Sequence, residues 1–113
     1  MPVGSGGGWR IGGIEKGRIF NTAIGAAANF FAADLAPTTP PCTFRIYMDF
    51  DTAGIVSIQR TSGGVSVLER LNQATALTVN CAYIFDIMVQ EDDTINIQHA
   101  AGAQISYCLV VEI

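Results

Sequence analysis

The side chains that could attack, titrate or coordinate are few in this chain, and they are far apart. His99 is the single histidine among 113 residues. It shares the parity of Ile95 and Ile97 and stands at the end of a strand-like run, which predicts a satisfied structural imidazole or a partly exposed one, with no recognisable base or nucleophile beside it. A serine nucleophile would sit on a G-x-S-x-G turn, and none is present. Asp49 and Asp51 stand two apart in D-F-D-T-A-G, which resembles the opening of a calcium loop. The twelfth position, where such a loop needs a bidentate glutamate, is Arg60, so the aspartates read as turn formers. Glu91, Asp92 and Asp93, with Asp86 nearby, form a second acidic group whose placement predicts a solvated hairpin tip. Asp49, Asp51, Asp92 and Asp93 are thus the metal-ligand candidates, and the expectation is that no metal or other cofactor is held.

Cys42, Cys81 and Cys108 lie 39 and 27 residues apart without a C-x-x-C pair, too sparse for a zinc site. At most one intramolecular disulfide can form among three thiols. The remainder must be buried, free or bonded to another subunit. The glycine clusters GSGGG and GGIEKG match neither phosphate-binding pattern. Among the aromatics, Tyr47 lies beside Arg45 on a polar-looking strand face and is the candidate for stacking on a sugar or at an interface.

The elements that must position these residues are strands. In CTFRIYMDF, Phe44, Ile46, Met48 and Phe50 alternate with Thr43, Arg45, Tyr47 and Asp49, the period of two that divides a core face from an outer one. Ile55–Thr61 and Val65–Glu69 flank Ser62, Gly63 and Gly64, a hairpin pattern. Tyr83, Phe85, Ile87 and Val89 share a face, and after a turn at 90–93 Ile95 and Ile97 point inward, implying a second antiparallel pair. The end of the chain alternates Ile105, Tyr107, Leu109, Val111 and Ile113 against Ser106, Cys108, Val110 and Glu112, which predicts two covered faces. Asn29–Leu35 reads as one more short strand and 70–80 as a connection anchored by Leu71 and Leu77. Six or seven strands at this spacing predict an all-β antiparallel sandwich, jelly-roll or immunoglobulin-like, over residues 28–113.

Residues 1–27 differ. They hold eight of the twelve glycines, with Trp9, Ile11, Ile14, Ile19 and Phe20 recurring without a lasting period. This composition predicts an extended arm whose apolar groups rest on the domain or on a neighbouring subunit. Lys16, Arg18 and the run behind them imitate an export signal poorly, since Glu15 sits among the charges and Asn21, Thr22 and Asn29 interrupt the run. A protein used without cleavage and assembled in a cytoplasm is expected, with no membrane span.

Half of the residues are hydrophobic and only 14% are charged, with a net charge of −4. Arg10, Lys16, Arg18, Arg45, Arg60 and Arg70 are scattered singly, which argues against nucleic-acid binding. So few charges leave apolar surface to bury against partners. The segments TFRIYMDFDTAGIVSIQRTSGG, LERLNQ, AYIFDIMVQEDDTINIQ and ISYCLVVEI resemble small β-sandwich structural proteins of virions, the capsid-decoration and head-fibre type of tailed phages and archaeal viruses. That resemblance implies a non-enzymatic shell or fibre subunit, often trimeric, which contacts itself and, in a shell, a major capsid protein. A subunit of an extracellular filament joined by strand donation, and a carbohydrate-binding module, are the alternatives.

Overall fold

A computed structural model describes residues 13–113, in which seven strands form two antiparallel sheets. They are β1 (Ile14–Ile24), β2 (Cys42–Phe50), β3 (Val56–Ser62), β4 (Val65–Arg70), β5 (Tyr83–Val89), β6 (Asp93–His99) and β7 (Ala103–Glu112). Sheet A has the order β1-β7-β2-β5 and sheet B the order β4-β3-β6. The β3–β4 hairpin stays within sheet B, and the β1–β2 connection leaves sheet A to run along β6 before returning. Every other connection crosses from one sheet to the other, and the inward residues of both sheets make one core.

That core is the face expected of β2. Phe44, Ile46 and Phe50 are fully buried and Met48 nearly so, packed against Val56, Ile58, Ile95 and Ile97 from sheet B. The β3–β4 hairpin turns on Gly63 and Gly64, both at positive φ, the backbone that a two-residue primed turn requires. The 70–80 connection holds a short turn at Asn72–Ala74 and buries Leu77, as expected.

Several expectations are corrected. Ile14–Ile24, within the expected arm, rests on this domain, and does so as an edge strand paired with β7 from Ile14↔Glu112 to Ile24↔Ala103. The boundary placed after residue 27 therefore does not separate this strand from the sandwich, while Trp9 and Ile11 lie outside the described residues. The apolar period fails in β1 because of two irregularities, a register shift at Lys16 and a left-handed Asn21 (φ 49°). Asn29–Leu35 is no regular strand. It makes two isolated bridges, Asn29↔Gln98 and Leu35↔Ile95, along the free edge of β6. Phe31 and Leu35 from this segment press on Gly17 of β1, where a Cβ would lie 2.8 Å from the Phe31 ring, so they close that side of the sandwich. The two runs around residues 90–93 do not pair with each other either: β5 joins β2 in sheet A and β6 joins β3 in sheet B.

In β7 an extra residue, Ser106, stands between Tyr107, opposite Asp49, and Ile105, opposite Phe50. This bulge shifts the inward set to Cys108 and Val110, both fully buried, and turns Tyr107 and Leu109 outward. The same phase brings Glu112 inward at the end of the strand, where it is 4% exposed. Its two carboxylate oxygens accept the N–H groups of Thr38 (2.6 Å) and Thr39 (2.9 Å), pinning the loop before β2. Lys16, the only lysine in the chain, lies 3.5 Å from Glu112 and donates to the Thr38 hydroxyl at 2.7 Å.

Burial pushes the Glu112 carboxyl upward, but the Thr38 and Thr39 N–H groups and the Lys16 charge outweigh it, and the net shift is below the ordinary glutamate value. A depressed carboxyl stabilises the fold above its unfolded-state value, about pH 4.3, and that contribution is lost as pH falls through the lower folded-state value. Glu112→Gln is expected to cost about 2 kcal/mol near neutral pH, from weakened charge-assisted hydrogen bonds, and to flatten the acid limb of a urea-melt series. Deletion of residues 1–27 removes β1 from sheet A, so circular dichroism should show a less stable or unfolded domain rather than an intact one.

Candidate self-association surface

The chemistry-bearing residues do not converge. Among the described residues, no group of three His, Cys, Asp or Glu side chains is placed to hold a metal ion. His99 is fully buried on the inner face, its Nε2 donating to the Thr52 carbonyl at 2.7 Å and its ring edge-on to Phe50 at 5.0 Å. Gly54 is required beside it, because a Cβ there would overlap the imidazole. Asp51 accepts the Gln104 N–H and the Thr52 hydroxyl, which together hold it below the usual carboxylate range. Asp49 lies on the outer face of sheet A opposite Tyr107.

The acidic group at 91–93 is divided rather than jointly solvated. Asp93 is 5% exposed; its Oδ2 takes the Gln90 N–H at 3.0 Å and the Arg60 guanidinium at 2.8 Å. Arg60 also holds Glu69 through a two-point pair and donates to the Met88 carbonyl, tying β3, β4, β5 and β6 together at one end of the sandwich. Asp92 and Glu91 remain exposed, and Asp86 is engaged by Arg45 through two 2.9 Å bonds. The cysteines are all free: Cys42 half-buried, Cys81 exposed, Cys108 buried.

What the strands do bring together is a face. In antiparallel pairing, residues directly opposite share a side, so the outer surface of sheet A can be read from its register. One row is Phe20, Tyr107 and Asp49. The next is Arg18, Leu109, Tyr47 and Ile84, and the third is Glu15, Val111, Arg45 and Asp86, with Met88 beside Thr43 beyond it. Phe20 is 74% exposed, Ile84 60% and Met88 62%, while Tyr47, Tyr107 and Leu109 are half-buried among them. The Arg45–Asp86 pair is solvent-exposed and contributes little to stability; with Arg18, Glu15 and Asp49 it sets charges of both signs among the apolar residues of this face.

Tyr47 and Phe20 were legible as candidates. Ile84 and Met88 were missed, although YIFDIMV carries its signal in the second parity, where only Asp86 is polar. Ile14 and Ile19 serve the inner side instead, in register with Glu112 and Cys108. A small open hollow of about 260 Å³ lies at one corner of this face, lined by Pro41, Cys42, Thr43, Met88 and Gln90, below the size of a typical small-molecule site. No described helix is long and apolar enough to cross a membrane. The chain matches no family model, no curated protein and no solved structure.

Burial pushes the Cys108 thiol up to about 12, and thiolate is the reactive form. In the native protein at pH 8, a thiol reagent should modify Cys81 first and leave Cys108 unmodified until denaturant is added. Mass mapping of the labelled peptides checks this order.

Proposed function

We propose that this chain is a non-enzymatic structural subunit that associates with copies of itself through the outer face of sheet A, in a virion shell, decoration or fibre. One observation carries the reading: a four-stranded surface on which apolar residues run from edge to edge through Phe20, Tyr107, Leu109, Tyr47, Ile84 and Met88, with Phe20, Ile84 and Met88 largely exposed in an isolated subunit. Monomeric proteins rarely leave such contiguous apolar patches in water, and burying this one against a copy removes it from solvent. The two charge signs on it, Arg18 and Arg45 against Glu15, Asp49 and Asp86, allow a two-fold or cyclic contact to pair unlike charges.

The strand order supports a jelly roll over an immunoglobulin-like fold. Sheet A, β1-β7-β2-β5, faces a layer in which residues 27–35 flank β6, β3 and β4, with the chain passing between sheets at nearly every step. Jelly rolls of this kind recur in capsid and lectin domains. A major capsid protein is the second partner this reading admits.

Phe20→Asp with Ile84→Asp should leave the thermal midpoint within a few degrees, because both residues are exposed, and should lower the oligomer mass measured by light scattering after size exclusion. Electron microscopy of the purified protein should show particles, rings or fibres. A monomer at all concentrations whose tyrosine fluorescence responds to sugars would overturn the reading in favour of a carbohydrate-binding module.

A further inference from the structure

The second sheet offers a further contact surface, the free edge of β4, next to β5. Four consecutive residues, Val65–Leu68, are exposed, and the apolar ones point to both faces: Val65 67%, Val67 52% and Leu68 48% exposed. An edge strand is ordinarily blunted by lysine, proline, a bulge or an inward charge. The stretch Val65–Leu68 has none of these; the two charges of β4 stand at its end, Arg70 on the outer face and Glu69 on the inner face, where Arg60 holds it, and the ladder with β3 is regular throughout. The flank is open as well: Phe85 and Ile87 on the inner face of β5 are only partly buried.

The direction of the free backbone groups follows from the ladder. The Leu71 N–H donates to the Val56 carbonyl at 2.9 Å, and in antiparallel strands hydrogen-bonded and non-hydrogen-bonded pairs alternate. Glu69, Val67 and Val65 therefore exchange hydrogen bonds with Ile58, Arg60 and Ser62, the last pair closing the hairpin. The N–H and C=O groups of Ser66, Leu68 and Arg70 face away from β3.

We propose that β4 pairs antiparallel with β4 of a second copy across a two-fold axis centred on Leu68, continuing sheet B through both subunits. Five two-fold registers use the free groups, with the axis at each residue from Ser66 to Arg70; the one at Glu69 opposes two carboxylates, and the one at Val67 sets Leu68 against Ser66 and Arg70 against the hairpin glycine Gly64. One centred on Arg70 opposes two guanidiniums. One centred on Ser66 runs Leu68 against Gly64 and loses most of the overlap. Centred on Leu68, the strands overlap from Val65 to Leu71: Leu68 meets Leu68, Ser66 meets Arg70, and Val67 meets Glu69, which keeps its own Arg60. No like charges are opposed, and the apolar side chains of both faces gain neighbours. This contact is separate from the sheet A surface and does not depend on it. With both present, each subunit carries two distinct self-contacts, and the product is larger than a dimer.

In a hydrogen-bonded antiparallel pair the opposed Cα atoms are about 5.5 Å apart, within the span of a disulfide. In a Cys81→Ser background, Leu68→Cys should give a covalent dimer under mild oxidation. Val65→Cys, the more exposed position but opposite Leu71, should give little. Equal cross-linking at the two positions would overturn the register. Leu68→Lys, which opposes two ammonium groups, should weaken the contact at least about tenfold in sedimentation velocity while the circular dichroism spectrum is unchanged; undiminished association would overturn the pairing. The Phe20→Asp, Ile84→Asp variant separates the two surfaces. Dimers there support β4 pairing, monomers overturn it, and assemblies larger than dimers overturn the role given to sheet A.

Discussion

The row of side chains that β2 turns inward is the surface on which the whole sandwich converges. Phe44, Ile46, Met48 and Phe50 are removed from water almost completely, each worth roughly 1.5–3 kcal/mol of transfer free energy. β2 is flanked on both sides in sheet A and packs on β3 and β6 from sheet B, so it has no edge left for anything but the fold. Everything else is arranged to keep this row dry. The segment at 27–35 seals one side with Phe31 and Leu35 against Gly17, and Glu112 seals an end by holding the backbone of Thr38 and Thr39. The β4–β5 side is left the most open, and the free β4 edge lies there.

How much could be read from the residues depended on whether a strand kept its phase. β2, β5 and β6 alternate without interruption, so their inward faces were legible, as was the Gly63–Gly64 turn. β1 and β7 were not, because each carries an extra residue that re-aims the side chains after it. In β7 one serine is enough to bring Cys108 and Val110 inward where uninterrupted alternation would place Tyr107 and Leu109. A bulge has no residue signature of its own; its evidence is the partner strand. Pairing between sheets was equally hidden, since the acidic turn at 90–93 looks the same whether it joins neighbours in one sheet or carries the chain across to the other.

The charges also mean something different once placed. Lys16, Arg60, Glu112, Asp93 and Glu69 look like ordinary surface residues in the sequence, yet they sit at two closures of the sandwich, where few backbone ties cross between the sheets. Asp93 and Glu112 are nearly inaccessible. Charges used in this way leave fewer for the exterior of a chain that has few to begin with. The candidate surface was legible only in part: Phe20 and Tyr47 stand out by type, whereas the exposure of Ile84 and Met88 comes from the absence, among the described residues, of anything above β5.

The pairing of the first described strand with the last has a consequence in time. Ile14 meets Glu112 and Ile24 meets Ala103, so β1 leaves the ribosome before the other six strands yet cannot be hydrogen-bonded in its native place until β7 has emerged. Such pairings between distant parts of a chain form slowly, and an unsatisfied strand is exposed to other chains meanwhile. Glu15, Lys16 and Arg18, packed into the start of β1, put charge of both signs on the nascent segment during that interval. The left-handed Asn21 and the irregularity at Lys16, which spoil its periodicity, also make it a poor template for a wrong partner.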